Sequence, residues 1–206
     1  MPALPMTEDF EHFQLTVPHA TETGVQFAYP PLPWIGARFK WEVRDLDGNK
    51  VLAKTLDNIF FQRATVFIGD AGMHNYTMEA DVRSDGNRRT MSIVGLINQR
   101  YLITLIGNSQ ELEVSSNEER IRASTPFAWK AGTWYHLKTR VDVASDGSGV
   151  VRAKAWKKGD PEPDAWTIEV PHRHAHAEGS PGLFGFSPQS LFRVYVDNIA
   201  VTPNGG

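Results

Sequence analysis

The chain has 206 residues, with 21 Lys+Arg against 24 Asp+Glu, a formal net charge of −3 with the histidines neutral. At 41% hydrophobic, 11% aromatic and 22% charged, it has the composition of a folded globule of about one domain, which argues against intrinsic disorder. The lack of a basic excess argues against a nucleic-acid partner. No uncharged apolar stretch approaches the roughly 18 residues of a membrane span, and zero cysteines remove disulfides, thiolate metal sites and a cysteine nucleophile.

In chain order, Met1 to Asp9 has neither a basic n-region nor an apolar h-region, so no signal peptide is expected there. Pro30-Pro31-Leu32-Pro33 reads as an extended crossing segment inside a single domain spanning 1–206. From Ala37 to Arg44 the odd positions are apolar and the even ones charged, the pattern of a strand with one packed and one wet face. Tyr76 to Arg83 and Tyr135 to Val143 repeat it. Asp47-Gly48, Asp85-Gly86 and Asp146-Gly147 supply the positive-φ positions of tight reversals beside these runs.

Met91 to Gly107 is apolar on both faces, which predicts central strands covered on two sides. Glu111 and Glu113 alternate with Leu112 and Val114, and Arg120 and Arg122 with Ile121 and Ala123, across a polar loop at 115–119. That is a hairpin with acids facing bases. Phe192 to Val201 forms a last strand. Helical periodicity is almost absent, and about a dozen short antiparallel strands must split into two stacked sheets. The fold class is therefore all-β, a two-sheet antiparallel sandwich.

No Gly-x-Ser-x-Gly elbow, P-loop, Gly-x-Gly-x-x-Gly or His-Glu-x-x-His occurs, so the usual hydrolase, nucleotide and dehydrogenase signatures are missing. His172, His174 and His176 alternate along the chain, and on a strand they point to one side. Neighbouring rings, about 6.5–7 Å apart, suit a transition metal, but the outer two, about 13 Å apart, share an ion only if the chain bends. A sugar site needs aromatic faces together with amide and guanidinium partners. Arg88, Arg89, Asn98, Gln99, Arg100 and Tyr101 form such a mixture, and Trp156 flanks a polar loop. Pairing of first and last strands would bring Asp9 and Glu11 to Asp197, hard oxygen donors for a structural calcium.

The stretches His74 to Arg83, Trp134-Tyr135-His136-Leu137-Lys138, Val151 to Trp156, Gly179 to Phe186 and Tyr195 to Ile199 resemble a concanavalin A-like (LamG-type) jelly-roll domain over about the last two-thirds of the chain. More narrowly they are similar to the sandwich at the carboxyl end of bacterial PQQ-type β-propeller proteins. The resemblance implies an extracellular or periplasmic setting, a carbohydrate-related or adhesive role, and a β-propeller as a packing partner. Sandwich glucanases of this architecture carry Glu-x-Asp-x-Glu or Glu-x-Asp-x-x-Glu on one strand. Glu79 and Asp81 match the first two acids, but Arg83 and Ser84 stand where the second glutamate belongs. Retaining glycosidases need two carboxyls about 5–5.5 Å apart. The expectation is therefore a non-catalytic glycan-binding module, with a glycosidase at Glu79 and Asp81, a hydrolase built on the three histidines, or a purely structural domain as alternatives.

Overall fold

The structure is a computed structural model describing residues 4–87 and 89–205. Among them the larger sheet has ten strands. These are β1 (Met6–Glu8), β2 (Val17–Pro18), β3 (Gln26–Ala28), β4 (Trp41–Leu46), β5 (Asn49–Lys54), β7 (Tyr76–Ser84), β12 (Tyr135–Val143), β13 (Gly149–Lys157), β14 (Ile168–His172) and β16 (Val194–Pro203). The smaller sheet has six: β6 (Arg63–Phe67), β8 (Ile93–Asn98), β9 (Tyr101–Ile106), β10 (Glu111–Ser116), β11 (Ile121–Pro126) and β15 (Gly182–Phe186). No helix among the described residues is long and apolar enough to cross a membrane.

The smaller sheet runs β11-β10-β9-β8-β15-β6, and the larger runs β14-β13-β12-β7-β16-β5-β4-β3-β2 with β1 added against β16. Sheet pairing is antiparallel throughout these ladders, and first and last strands meet as is common in sandwiches, Met6 opposite Val201 and Glu8 opposite Ile199. The two inner faces supply one core, from Met78, Ala80 and Val82 on one side to Val94, Leu96, Ile103, Leu105 and Val114 on the other, all without solvent exposure. Period-two burial thus places alternate residues outward, which is how the sandwich acquires two polar-capable outer faces.

On β16 the register slips: Asp197 pairs Asp81 but Ala200 pairs Glu79, so Asn198 and Ile199 bulge opposite a single residue. Asn198 takes φ 48°, a left-handed conformation that asparagine tolerates better than most residues. The hairpin at 111–126 forms with Glu113 opposite Ser124. The expected acid–base pairing is diagonal, Arg122 Nε donating to Glu113 at 2.7 Å.

Candidate functional site

The strand alternation that fills the core presents three rows on the outer face of the six-stranded sheet. Arg63, Phe186, Ile93 and Ile106 lie side by side, then Thr65, Phe184, Gly95, Thr104 and Glu113, then Phe67, Gly182, Ile97, Leu102 and Ser115. The turn after β10 and the segment before β15 rise at one end, and together these elements enclose a groove of about 1020 Å³. Its floor is aromatic and aliphatic, and its rim carries Arg63, Arg100, Arg120, Arg122, Glu113 and Glu118.

Two glycines keep the floor low. A β-carbon at Gly95 would lie 2.1 Å from the Ile103 carbonyl oxygen, and one at Gly182 2.5 Å from that of Val66. The apolar run Met91 to Gly107 predicts cover on both faces, and here the structure differs. One face of β8 and β9 is core, while Ile93, Leu102 and Ile106 on the other are half-exposed groove floor.

Of the residues that sequence nominates for a sugar, Arg100 lines this groove. Arg88 lies outside the described residues, and Arg89 is exposed on the loop capped by Asn87, whose Oδ1 accepts its N–H at 2.9 Å. Asn98, Gln99 and Tyr101 are fully buried, so none of the three presents a side chain to a ligand. Their polar atoms serve the fold instead. Gln99 Nε2 donates to the His176 carbonyl at 2.9 Å, its Oε1 accepts Asn75 N–H at 2.6 Å, and Asn98 Nδ2 donates to the Tyr76 carbonyl at 3.1 Å. Gln99 and Arg100 take φ 46° and 71° as the two-residue turn between β8 and β9, and the Gln99 contacts hold that turn.

Glu79 and Asp81 face outward from β7, on the ten-stranded sheet, across the sandwich from the groove. His136, opposite Asp81 on β12, bridges them: Nδ1 lies 2.8 Å from Asp81 and Nε2 3.5 Å from Glu79. Trp156 packs against this imidazole with ring centroids 4.5 Å apart and planes tilted by 42°. Burial alone would lower His136, but its hydrogen bonds to the two carboxylates win and push it up to about 9. Burial alone would raise Asp81, but hydrogen bonds from His136, Lys158 and Asn198 hold it below the usual range. The hydrogen bond from His136 does the same for Glu79. Both acids are therefore ionised and the imidazole between them is cationic at neutral pH.

The metal sets also come apart. β14 ends at His172 and the chain turns, so His172 and His176 reach a ring separation of 5.8 Å while His174 is exposed. Their nitrogens meet hydroxyls: Tyr101 at His172 Nδ1, 2.6 Å, and Ser116 at His176 Nε2, 2.7 Å. Asp9 accepts Glu11 N–H at 3.1 Å, Glu11 accepts Lys50 N–H at 2.9 Å, and the buried Asp197 accepts Asn49 Nδ2 at 2.9 Å. Each carboxylate is turned to its own partner, and the three do not converge as the oxygen shell that calcium requires.

Sequence reasoning missed His19, whose Nε2 faces Glu22, Glu42 and Asp57 at 3.3, 3.5 and 3.4 Å. Its Nδ1 accepts the Glu22 N–H at 3.1 Å, so Nε2 carries the proton. It is a donor to carboxylates and not a metal ligand.

No protein-family model matches the chain, and no curated protein does. In fold it is similar to a β-glucanase of Bacillus licheniformis, with TM-score 0.55 and 7% identity over 97% of this chain and 98% of that one. It is similar to the PL-14 alginate lyase of Aplysia kurodai, with TM-score 0.53 and 9% identity over 83% and 89% of the two chains. A β-1,3-glucanase of Mycobacterium marinum gives TM-score 0.50 and 16% identity over 79% and 77%. At these identities the likeness is one of fold, and it establishes the concanavalin-like jelly roll.

Proposed function

We propose that this chain is a non-catalytic glycan-binding module that holds a polysaccharide in the groove over the six-stranded sheet. The observation that carries the reading is the groove's make-up: a floor with Phe67, Phe184 and Phe186, and a rim of arginines and carboxylates. A pyranose lays its C–H face on such rings, and its hydroxyls meet planar polar groups at the edges. Sites for ligands are concave and few, and fold neighbours named as glucanases and alginate lyases support a carbohydrate ligand. The extracellular or periplasmic setting belongs to this proposal through the resemblance to propeller-appended sandwiches.

The chemistry of the groove favours binding over cleavage. Its central strand β9 presents Leu102, Thr104 and Ile106, none of them titratable, and its lining carboxylates Glu113 and Glu118 are paired with Arg122 and Arg100. General acid catalysis on a glycoside needs a protonated carboxyl beside an ionised one. Glu79 and Asp81, on the opposite face, are both held ionised.

Affinity electrophoresis through gels containing single polysaccharides tests this, with reducing-end assays on the same polymers. Retardation without product release is expected, and Phe186→Ala should weaken it roughly ten-fold. Retardation by no polymer overturns the proposal, and product release that disappears in Glu79→Gln replaces it with the glycosidase alternative.

One observation favours a second reading, that of a domain packed on a β-propeller: Ile59, Phe60 and Leu191 are 57%, 90% and 55% exposed on adjacent short 3-10 turns. It predicts that Phe60→Asp leaves glycan retention intact and abolishes co-purification with a propeller expressed beside it.

A further inference from the structure

We infer that the polysaccharide this groove takes is a polyanion, bearing carboxylate or sulfate groups, and long enough to touch both edges of the six-stranded sheet. The inference rests on reading the groove as a glycan site and adds the charge and length of its occupant.

The rim holds four arginines against two glutamates, in a chain whose formal net charge is −3. Positive charge is thus concentrated in the groove on this outer face, and low-dielectric walls focus its field on whatever enters. The two glutamates do not absorb it. Glu113 engages Arg122 through Nε at 2.7 Å, and Glu118 engages Arg100 through Nη1 at 3.2 Å. Among the described residues, Arg63 and Arg120 are in ion pairs with neither glutamate nor any other carboxylate.

Arg63 is also held in place. Its guanidinium lies 4.9 Å from the centroid of the Phe186 ring, so a cation–π contact restrains the group beside the groove floor while its N–H donors are in no ion pair among the described residues. A planar, always-charged fork of this kind suits carboxylate and sulfate oxygens, and it arrives with part of the ordering cost already met.

Placement sets the length. Arg63 sits on β6 at one edge of the sheet and Arg122 on β11 at the other, with four strands between them. Five interstrand steps of about 4.8 Å span about 24 Å. A monosaccharide cannot bridge that distance. A polymer lying across the strands meets guanidinium groups at both ends while its ring faces rest on Phe186, Ile93, Ile106 and Leu102 between them.

The test is isothermal titration with sodium alginate and polygalacturonate as carboxylated polymers, dextran sulfate as a sulfated one, and a neutral mixed-linkage β-glucan. At least one acidic polymer is expected to bind more tightly than the neutral glucan, and its affinity should fall steeply from low to near-molar salt. The carboxylated and sulfated arms identify which anion the groove prefers. Arg63→Ala and Arg120→Ala, both at exposed positions whose melting temperatures serve as folding controls, should each weaken acidic-polymer binding roughly five- to ten-fold, several-fold more than they weaken any binding of the neutral glucan. A neutral glucan bound as tightly as any acidic polymer, with no salt dependence, overturns the inference and leaves the glycan reading standing. Failure of every polymer overturns both.

Discussion

The Tyr101 hydroxyl and His172 Nδ1 lie 2.6 Å apart, and the same hydroxyl accepts the His176 N–H at 3.1 Å. Donation of the phenol's one proton to His172 Nδ1 satisfies both groups, and it requires the imidazole tautomer protonated at Nε2. The segment after β14 is latched by this contact onto a tyrosine at the heart of the core, and it leads into Gly179 and Ser180 on the groove wall. Burial holds His172 and His176 below the ordinary imidazole range, so neither is charged in the folded chain near pH 7.

Tyr101→Phe removes the donor to His172 and the acceptor for His176 N–H, and a loss of about 1–3 kcal/mol is expected. Urea unfolding measures it. Because a histidine depressed in the folded state must charge when the chain unfolds, wild-type stability should decline as pH falls through about 6.5. Tyr101→Phe should lower the curve at every pH and keep the decline, because the burial that depresses both imidazoles is unchanged. An unaltered urea midpoint would contradict the latch.

His136 works in the opposite direction. Its folded pKa, about 9, exceeds the ordinary 6.5, so its contribution is fully present below pH 6.5 and lost as pH climbs to about 9. The shift corresponds to about 3 kcal/mol as an upper figure, shared with Asp81 and Glu79. Those two acids, lowered in the folded chain, contribute above the carboxylate range and lose it as pH falls. Melting temperature should therefore fall between pH 7 and pH 9 in the wild type, and His136→Gln should flatten that limb.

Lys54 is fully buried on β5, and its ammonium donates to the Thr55 carbonyl at 3.1 Å with no carboxylate beside it among the described residues. Burial, reinforced by Arg193, pushes it down to about 8. The penalty acts below pH 8 and is relieved as pH rises towards 10.5. Lys54→Met keeps the chain length that packs against Trp41 and Gly185 and removes the charge, so a gain of about 1–3 kcal/mol at pH 7 is expected by chemical denaturation.

Gly95→Ala would drive a methyl onto the Ile103 carbonyl at the groove floor. A destabilisation of about 1–3 kcal/mol is expected, together with loss of polysaccharide retention beyond what the lower stability accounts for. Thermal unfolding and gel retardation on the same protein separate the two effects.

The layered fold is legible in the sequence because alternation is local: β7, β12 and the hairpin at 111–126 follow from residue patterns, while the meeting of β1 with β16 follows only from the habit of sandwiches to pair their first and last strands. The site is far less so. Its lining comes from six strands spread between Arg63 and Phe186, and period two marks an outward face without saying which sheet owns it. Glu79 and Asp81 alternate as well as any groove residue does, yet they belong to the other sheet. Asn98, Gln99 and Tyr101 look like ligand groups in a list of side chains, but a turn with two positive-φ residues turns their polar atoms onto the backbone. The one local signal of the groove was the double-faced apolar run Met91 to Gly107, whose second face is uncovered floor and not core.

Backbone amide shifts recorded while an oligosaccharide of the retained polymer is titrated in address the central claim most directly. The account predicts saturable movements in β8, β9 and β15, at Ile93, Leu102, Thr104 and Phe186, with Glu79, Asp81 and His136 unmoved. Shifts gathered around His136 and Trp156, with the six-stranded sheet silent, would contradict it.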